Sequence, residues 1–505
     1  MEKRNKLLMM NGVVTIIMQM VTMICGLILP RLILSTFGSN VNGLVTSITQ
    51  FLSFISLLDG GLGGVIRAAY YKPMAEHDNE GISRVFAASN KFYRQIAGFF
   101  VIYLVMLAFI FPIVSGKEFG YLYTFLLVII ISLATLMQYF WGYTLKLLVF
   151  SDQRGYLHNI TQIMTIIINT VLAGVLIHFG AGIHMVKFVA AVAYVVQPLF
   201  LGFYVRRHYN INYNAKPDDN AIKQRWSALA RHIAFYIHSN TDVVILTLFT
   251  SFSTVSIYSV YQTVVNGLNN LVAGVISNTE ATFGDLLAAG ERELFKKEFT
   301  AVDLLSKMIS TVCFATCTTM ICIFVNIYTR GVHDTNYYRP VFAILMCMSE
   351  WIYCMGLNYN NVIVSVGHFK ETTKIGITEA GINVVVSLVL VKIIGLEGAV
   401  TATMLAMTYK MIANIFYMQK NIIHINISYT IRSLLSSILT FGISIVIIGR
   451  LVCNVEGYIT FFIEAAIVFV IILILNIVLN CIICKKETGY MLGKVKNKVK
   501  NKKGK

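Results

Sequence analysis

Several ionisable side chains lie within long apolar stretches of this 505-residue chain. A charged side chain at the centre of a bilayer costs about 2.5 to 3.5 kcal/mol on insertion scales, so a retained charge is a candidate functional group. Such groups can bind a charged ligand or carry a proton or an ion. In chain order they are Arg31, Asp59, Arg67, His238, Asp242, Glu350, Glu379 and Lys410.

The basic members of this set can attract an anion. Arg31 directly follows Pro30, whose missing amide hydrogen loosens a helix. Arg67 and Lys410 lie toward the inner ends of their stretches and Arg31 toward an outer end, so snorkelling to the membrane surface is an alternative for all three. We predict that these three cations and Asp59 bind substrate, although Asp59 equally fits a structural partner of a buried base.

Other polar groups suit ion coupling or hydrogen bonding. His238 and Asp242 are four residues apart and share one helical face, and histidine titrates near neutral pH. With Glu350, this pair predicts coupling to a proton or sodium gradient; a satisfied buried hydrogen bond is the alternative. Asn266 and Asn270 are predicted to bind a polar substrate, although hydrogen bonds between helices explain them equally well.

Fourteen apolar stretches of about 20 residues carry these side chains, and roughly 20 helical residues cross a ~30 Å hydrocarbon core. Hydrophobic residues make up 57% of the chain and charged residues 13%, which leaves little for a soluble domain. The predicted spans are 10–33, 42–66, 95–115, 121–145, 157–179, 184–205, 230–250, 255–277, 303–327, 339–366, 374–395, 398–418, 430–450 and 459–483. The sequence therefore predicts an all-α polytopic membrane protein.

Basic residues are distributed unevenly between the connections. With the N-terminus placed inside, all but seven of the 41 Lys and Arg residues fall on the cytoplasmic side, including Lys307, which is counted with the connection before the ninth span. This bias follows the positive-inside rule, so we predict that both termini are cytoplasmic. The net charge of +17 then describes a basic face against anionic lipid head groups, and no basic soluble module suggests nucleic-acid binding.

The first six spans and the next six read as two copies of one plan. Residues 35–39 resemble residues 250–254, and residues 80–86 resemble residues 293–299. Parallel repeats of six helices are common in secondary transporters. The predicted parts are a first bundle at 1–208, a cytoplasmic linker at 209–229, a second bundle at 230–420, two accessory helices at 421–484 and a basic tail at 485–505.

Motifs for enzyme chemistry are missing from the sequence. The glycine run after Asp59 lacks the Lys-Ser or Lys-Thr that completes a phosphate-binding P-loop, which excludes an ATP motor. No paired-histidine metal motif or Gly-x-Ser-x-Gly elbow occurs, and Cys481 and Cys484 have no second Cys or His pair nearby. We therefore predict no enzyme activity, no metal site and no bound cofactor.

Three motifs resemble those of bacterial polysaccharide transporters. The run Leu57–Arg67, continued by Tyr70–Glu76, resembles the family's second helix and following loop. Leu29–Gly38 resembles its first turn, and Ser151–Tyr156 the loop after its fourth helix. With the six-plus-six-plus-two layout, the chain resembles the oligosaccharide flippase branch of the multidrug, oligosaccharidyl-lipid and polysaccharide exporter superfamily. The family more often has Asp-Leu-Gly where this chain has Asp59-Gly60-Gly61.

The resemblance implies movement of an undecaprenyl-diphosphate-linked oligosaccharide repeat unit, of the O-antigen type, from the inner to the outer leaflet of a bacterial plasma membrane by alternating access. Arg31 and Arg67 would be the outer and inner stations for the diphosphate. The implied partners are this lipid-linked substrate, membrane lipids, a polysaccharide polymerase and glycosyltransferases.

Two other functions stay open at this point. A cation-coupled multidrug exporter of the same superfamily would hold an organic cation with carboxylates, and the mixed charges of the apolar stretches do not settle the sign of the binding cavity. A membrane-embedded glycosyltransferase or polymerase would need a large external loop with clustered carboxylates and histidines, which the sequence lacks.

Overall fold

The computed structural model describes residues 2–55, 62–116, 118–218, 240–277, 279–448, 455, 457–491 and 493. Within these ranges the regular elements are helices, and no strand is present. The chain divides into two compact units, Met1–Ser256 and Ile257–Lys505. Asp59 and His238, two of the predicted site residues, lie outside the described residues.

Unit 1 is an assembly of long helices with one π-helical segment, in which the backbone bonds close one residue later than in an α-helix. Its elements are α1 (Glu2–Ser53), α2 (Leu62–Ala75), α3 (Asn79–Ser115), α4 (Tyr121–Met137), π1 (Gln138–Gly142), α5 (Tyr143–Ser151), α6 (Gly155–His178), α7 (Ile183–His208), α8 (Asn240–Phe249) and the first turn of α9 (Phe252–Ser277).

Unit 2 contains the rest of α9 and the C-terminal helices. Its further elements are α10 (Thr279–Ala288), α11 (Arg292–Tyr328), α12 (Pro340–Ser365), α13 (Phe369–Ile394), α14 (Leu396–Asn421), α15 (Ile427–Ile443), the π-helical segment π2 (Ser444–Ile448) and α16 (Tyr458–Ile483). Helix α12 packs against α11 and α14, and α16 packs against α11 and α15.

Eleven helices in the described part of the chain are long and apolar enough to cross a membrane. The protein is therefore an all-α, multi-pass membrane protein, as predicted. The difference from fourteen spans has three causes. The first span and the start of the second both lie in α1, which bends between them and counts once, and the seventh span is described only from Asn240. Helix α9 is 26 residues long but carries too many amides and hydroxyls to count as apolar.

Gly38 marks the division between the first two predicted spans within α1. Its backbone φ is 83° and its ψ is 175°, so the helix bends there. An L-residue with a side chain rarely adopts this positive φ, whereas glycine does so readily. The bend lies between the predicted spans 10–33 and 42–66.

Each unit has its own aromatic-rich core. In unit 1, buried rings from α2 and α3, including Tyr70, Tyr93 and Phe100, pack with aliphatic side chains of α1 and α5. In unit 2, Phe295 and Phe299 pack with Tyr359 and other residues of α10, α12, α14 and α15. These cores hold the helices that carry the candidate site residues.

The second half of α1 packs closely against residues 240–256 of the same unit. Ser47 and Thr247 share a 2.7 Å hydrogen bond, and Asn42 Nδ2 donates to Ser256 Oγ at 2.8 Å. A Cβ atom at Gly43 would collide with the backbone carbonyl of Phe252. Glycine is therefore required at position 43 for this close approach.

Gly43→Ala should destabilise the protein by about 1 to 3 kcal/mol, the usual cost of overpacking. Its matched control is Gly26→Ala in the same helix, where an added Cβ meets nothing within 4 Å. We expect a lower thermal midpoint for Gly43→Ala, measured on protein purified in detergent, and no loss for Gly26→Ala. Equal midpoints for the two variants would contradict this packing.

Candidate functional site

A polar cavity of about 440 Å³ lies inside unit 1, between α1, π1, α5, α6 and α7. The side chains with polar groups that line it are Thr22, Gln138, Tyr143, Lys146, His158, Asn159, Gln162 and Gln197. Polar groups inside a membrane-spanning bundle are costly unless they are hydrogen-bonded or line a wet cavity, and they commonly mark a substrate path. This cluster, called the unit 1 cavity below, is therefore a candidate binding site.

Hydrogen bonds fix one wall of the unit 1 cavity. Gln197 Nε2 donates to Gln162 Oε1 at 2.8 Å and lies 3.2 Å from His158 Nδ1. Asn159 Nδ2 donates to Thr15 Oγ1 at 2.9 Å, which ties α6 to α1. The wall is thus preorganised before any ligand arrives, which lowers the entropic cost of binding.

The π-helical segment π1 forms another part of the lining. It supplies Gln138 and Gly142 to the cavity, and Lys146 follows one turn later in α5. The Lys146 ammonium lies 5.4 Å from the centre of the Tyr143 ring, a cation–π contact. π-Helical turns are rare and are often found at functional sites, so this segment agrees with a binding role.

The described lining of the unit 1 cavity carries positive rather than negative charge. Among its described lining residues, Lys146 is cationic and no Asp or Glu is present. The remaining polar groups are amides, one imidazole and the hydroxyls of Thr22 and Tyr143, which both donate and accept hydrogen bonds. Such a lining suits an anionic, polyhydroxylated ligand better than an organic cation.

The Ser151–Tyr156 motif forms a tight turn beside this cavity. Asn11 holds the turn from both sides, because its Nδ2 donates to the Gln153 carbonyl and its Oδ1 accepts from the Tyr156 amide, each at 2.7 Å. Gln153 adopts a φ of 57°. A Cβ at Gly155 would lie 2.9 Å from the Phe150 ring, so a larger residue there would force that ring to shift.

Charged and phenolic groups complete this turn. Arg154 Nε lies 2.9 Å from Asp152 Oδ2, and the Tyr209 hydroxyl donates to the same carboxyl oxygen at 2.6 Å. Burial and then this hydrogen bond raise the pKa of Tyr209 above its ordinary value, so the hydroxyl stays a donor at physiological pH. The motif that carries the family resemblance is thus a structural anchor for α5, α6 and α7.

The predicted cationic stations do not lie in this cavity. Arg31 is half-buried on α1 and is not among the lining residues. Arg67 is exposed on α2, and its Nε donates to the Gly63 carbonyl at 3.2 Å. Asp242 is buried in α8, close to the Asn240 side chain that accepts a 2.8 Å hydrogen bond from Gln50.

In unit 2, Glu350 is joined to the amide-rich helix α9. Asn269 Nδ2 donates a hydrogen bond to Glu350 Oε2, which connects α9 with α12. Cys354 Sγ lies 3.7 Å from Asn269 Oδ1. Asn266 and Asn270 are exposed on α9, so their side chains remain accessible to a ligand.

Lys410 is paired with a second carboxylate of unit 2. Its Nζ lies 3.2 Å from Glu379 Oε2, and the two side chains are 24% and 2% exposed. One turn along α13, Asn383 donates to Thr403 Oγ1 of α14 at 2.9 Å. The pair partly neutralises Lys410, and its predicted role in substrate binding stays a prediction.

Sequence reasoning missed a buried ionic network that is centred on Lys307. This residue was assigned to a cytoplasmic connection, but its side chain is only 1% exposed. Lys307 Nζ lies 2.6 Å from Asp303 Oδ2 and donates to Ser433 Oγ at 2.9 Å and Tyr359 Oη at 3.2 Å. Tyr429 Oη donates to Asp303 Oδ2 at 2.9 Å. The network joins α11, α12 and α15.

A sequence signal for this network exists. Asp303 and Lys307 are four residues apart at the start of an apolar span, and that spacing places both on one helical face. Because the positive-inside rule alone accounts for a lysine at this position, the sequence gives no reason to look for its ion-pair partner. The candidate cavity residues Gln138, Gln162 and Gln197 were missed because uncharged amides give no charge signal in a sequence.

Lys307→Met should destabilise unit 2 by about 3 to 5 kcal/mol, because it leaves the Asp303 carboxylate buried without its cation. Adding Asp303→Leu to this variant should restore much of the loss, since both charges are then removed together. The check is the thermal midpoint of each purified variant in detergent. A double variant less stable than Lys307→Met would contradict this account of the network.

No protein-family model matches this chain, and no curated protein matches it in sequence. The fold is that of solved membrane transporters and flippases. A structure described as "Lipid II flippase MurJ, inward closed conformation" matches with a TM-score of 0.71 at 12% identity, over 95% of this chain and 99% of that one.

Two MATE structures share the fold as well. An inward-facing multidrug resistance MATE family transporter of the MOP superfamily matches with a TM-score of 0.62 at 13% identity, over 80% of this chain and 96% of that one. A MATE crystal structure in the bent conformation matches with a TM-score of 0.52 at 14% identity, over 87% of this chain and 97% of that one. These matches define the polytopic fold of the chain.

Proposed function

We propose that this protein is a flippase that carries undecaprenyl-diphosphate-linked oligosaccharide repeat units from the inner to the outer leaflet for polysaccharide biosynthesis. The observation that carries the proposal is the positive charge of the unit 1 cavity. Lys146 and several amides line it, and no carboxylate is among the described lining residues. A diphosphate needs cations, and its sugars need groups that both donate and accept hydrogen bonds.

The rival function is a cation-coupled multidrug exporter. It needs carboxylates that are available to an organic cation. In unit 2, Glu350 accepts a hydrogen bond from Asn269, and Glu379 is paired with Lys410. These partners reduce the attraction of both carboxylates for a foreign cation, which favours the flippase.

The remaining parts of the proposal concern the path and its setting. Arg31 and Arg67 hold the diphosphate at the outer and inner ends, Asp59 pairs with them between transfers, and Asn266 and Asn270 contact the sugars. The bundles 1–208 and 230–420 alternate access in a bacterial plasma membrane, with both termini cytoplasmic. Glycosyltransferases supply the substrate, and a polymerase consumes it.

Lys146→Ala should slow translocation by tenfold or more, because a hydrogen bond to a charged group is worth about 1.5 to 3 kcal/mol. The measurement is exposure of a lipid-diphosphate-linked oligosaccharide on the far leaflet of proteoliposomes, with Arg31→Ala and Arg67→Ala alongside. The matched control is Lys72→Ala, which removes a lysine whose side chain is 83% exposed.

Three outcomes would contradict the proposal or a part of it. Unchanged translocation in Lys146→Ala would remove the unit 1 cavity from the path, and unchanged translocation in both arginine variants would remove the two stations. If the wild-type protein moves no lipid but extrudes an organic cation from the same vesicles, the exporter is the correct function.

Glu350→Gln should make translocation insensitive to an imposed proton or sodium gradient, because it removes the titratable charge while keeping an oxygen for Asn269. The check compares gradient-driven and gradient-free translocation, with Glu464→Gln in α16 as the control. Wild-type transport that ignores an ionophore would exclude the proposed coupling through His238, Asp242 and Glu350. A normal gradient response in Glu350→Gln would exclude Glu350 alone.

A further inference from the structure

A second cavity of about 420 Å³ lies in unit 1, between α3, π1, α5 and α7. It shares only Pro198 with the unit 1 cavity among their described lining residues. Its polar lining residues are Asn90, Arg94, Thr144 and Arg206. The proposed translocation path does not use this cavity.

The two arginines make this second cavity strongly basic. Arg94 and Arg206 are both exposed, and no Asp or Glu lies among its described lining residues. The Arg206 guanidinium lies 6.0 Å from the centre of the Tyr213 ring, which orients it without neutralising it. Within the described residues, neither arginine forms an ion pair. Two planar guanidinium groups match the oxygens of a phosphate.

Large apolar side chains line the same cavity as the two arginines. Trp141, Leu199 and Phe203 line the same cavity and are 52%, 66% and 65% exposed. Because the helices that carry them span the membrane, these surfaces face acyl chains rather than water. Tryptophan is enriched where membrane and water meet, so Trp141 fits the boundary.

The sequence places the two arginines at one membrane boundary. Arg94 immediately precedes the predicted span 95–115, and Arg206 immediately follows the predicted span 184–205. The positive-inside rule puts both ends on the cytoplasmic side. A phosphate at their level would lie among the head groups of the inner leaflet, with hydrocarbon directly beside it.

We propose that this cavity binds the phosphate of an anionic phospholipid of the inner leaflet. The guanidinium groups of Arg94 and Arg206 hold the phosphate, and the acyl chains lie along Leu199 and Phe203. The apolar wall distinguishes this site from one for free phosphate, which gains nothing from exposed hydrocarbon. The site is independent of the translocated substrate, so it stands whether the protein is a flippase or an exporter.

The test is binding of phosphatidylglycerol and phosphatidylcholine to the full-length protein, purified in a neutral detergent and measured by native mass spectrometry. We expect phosphatidylglycerol to bind at least tenfold more tightly than phosphatidylcholine to the wild type. Arg94→Gln/Arg206→Gln should abolish this preference. The control Lys91→Gln/Arg207→Gln, which alters neighbouring cations on the same helices outside the cavity, should keep it.

Two results would overturn the proposal. The first is equal loss of preference in both double variants, which would mean that basic charge alone attracts the lipid. The second is displacement of phosphatidylglycerol by millimolar inorganic phosphate, which would indicate a site for the free anion.

A second readout keeps the test valid if the arginine variant is unstable. Brominated phosphatidylglycerol should quench the tryptophan emission of the wild type, and Trp141→Phe should remove most of that quenching. Quenching that persists in Trp141→Phe would overturn the placement of the lipid in this cavity.

Discussion

The hydrocarbon core of the membrane offers no hydrogen bonds, and this constraint organises the whole structure. Each polar side chain in a span must find a partner in the protein or line a cavity that admits water or a ligand. In the Lys307 network every partner comes from the protein, since Asp303, Tyr359 and Ser433 lie within hydrogen-bonding distance of the ammonium. In the unit 1 cavity the amides instead line a space that can admit water or a ligand.

The unit 1 cavity and the carboxylates held within the helices use charge differently. The unit 1 cavity has a cation and no carboxylate among the described lining residues. Unit 2 holds carboxylates within its helices, and Glu350 and Glu379 each have a polar partner from a neighbouring helix. In the proposed mechanism the two kinds of group have different roles. A substrate anion binds to fixed positive and neutral groups, whereas a driving ion acts on groups that can change protonation.

The sequence predicted the helical membrane fold because span length and composition follow directly from the thickness of the bilayer. It also located the break at Gly38, since a turn residue interrupts the apolar run there. The ion-pair partners of the buried charges could not be predicted from it. The loop assignment of Lys307 failed because the positive-inside rule concerns single residues, and burial depends on helices far apart in the chain. Lys410 likewise gained Glu379 only through packing of α14 on α13.

The most direct test of the account is equilibrium binding to the purified wild-type protein, measured by calorimetry with two ligands of opposite charge. One is a short-chain prenyl-diphosphate oligosaccharide, and the other is a hydrophobic organic cation such as tetraphenylphosphonium. A basic, amide-lined cavity predicts binding of the diphosphate that weakens as salt is raised, with little binding of the cation. Tight binding of the cation without binding of the diphosphate would contradict the account.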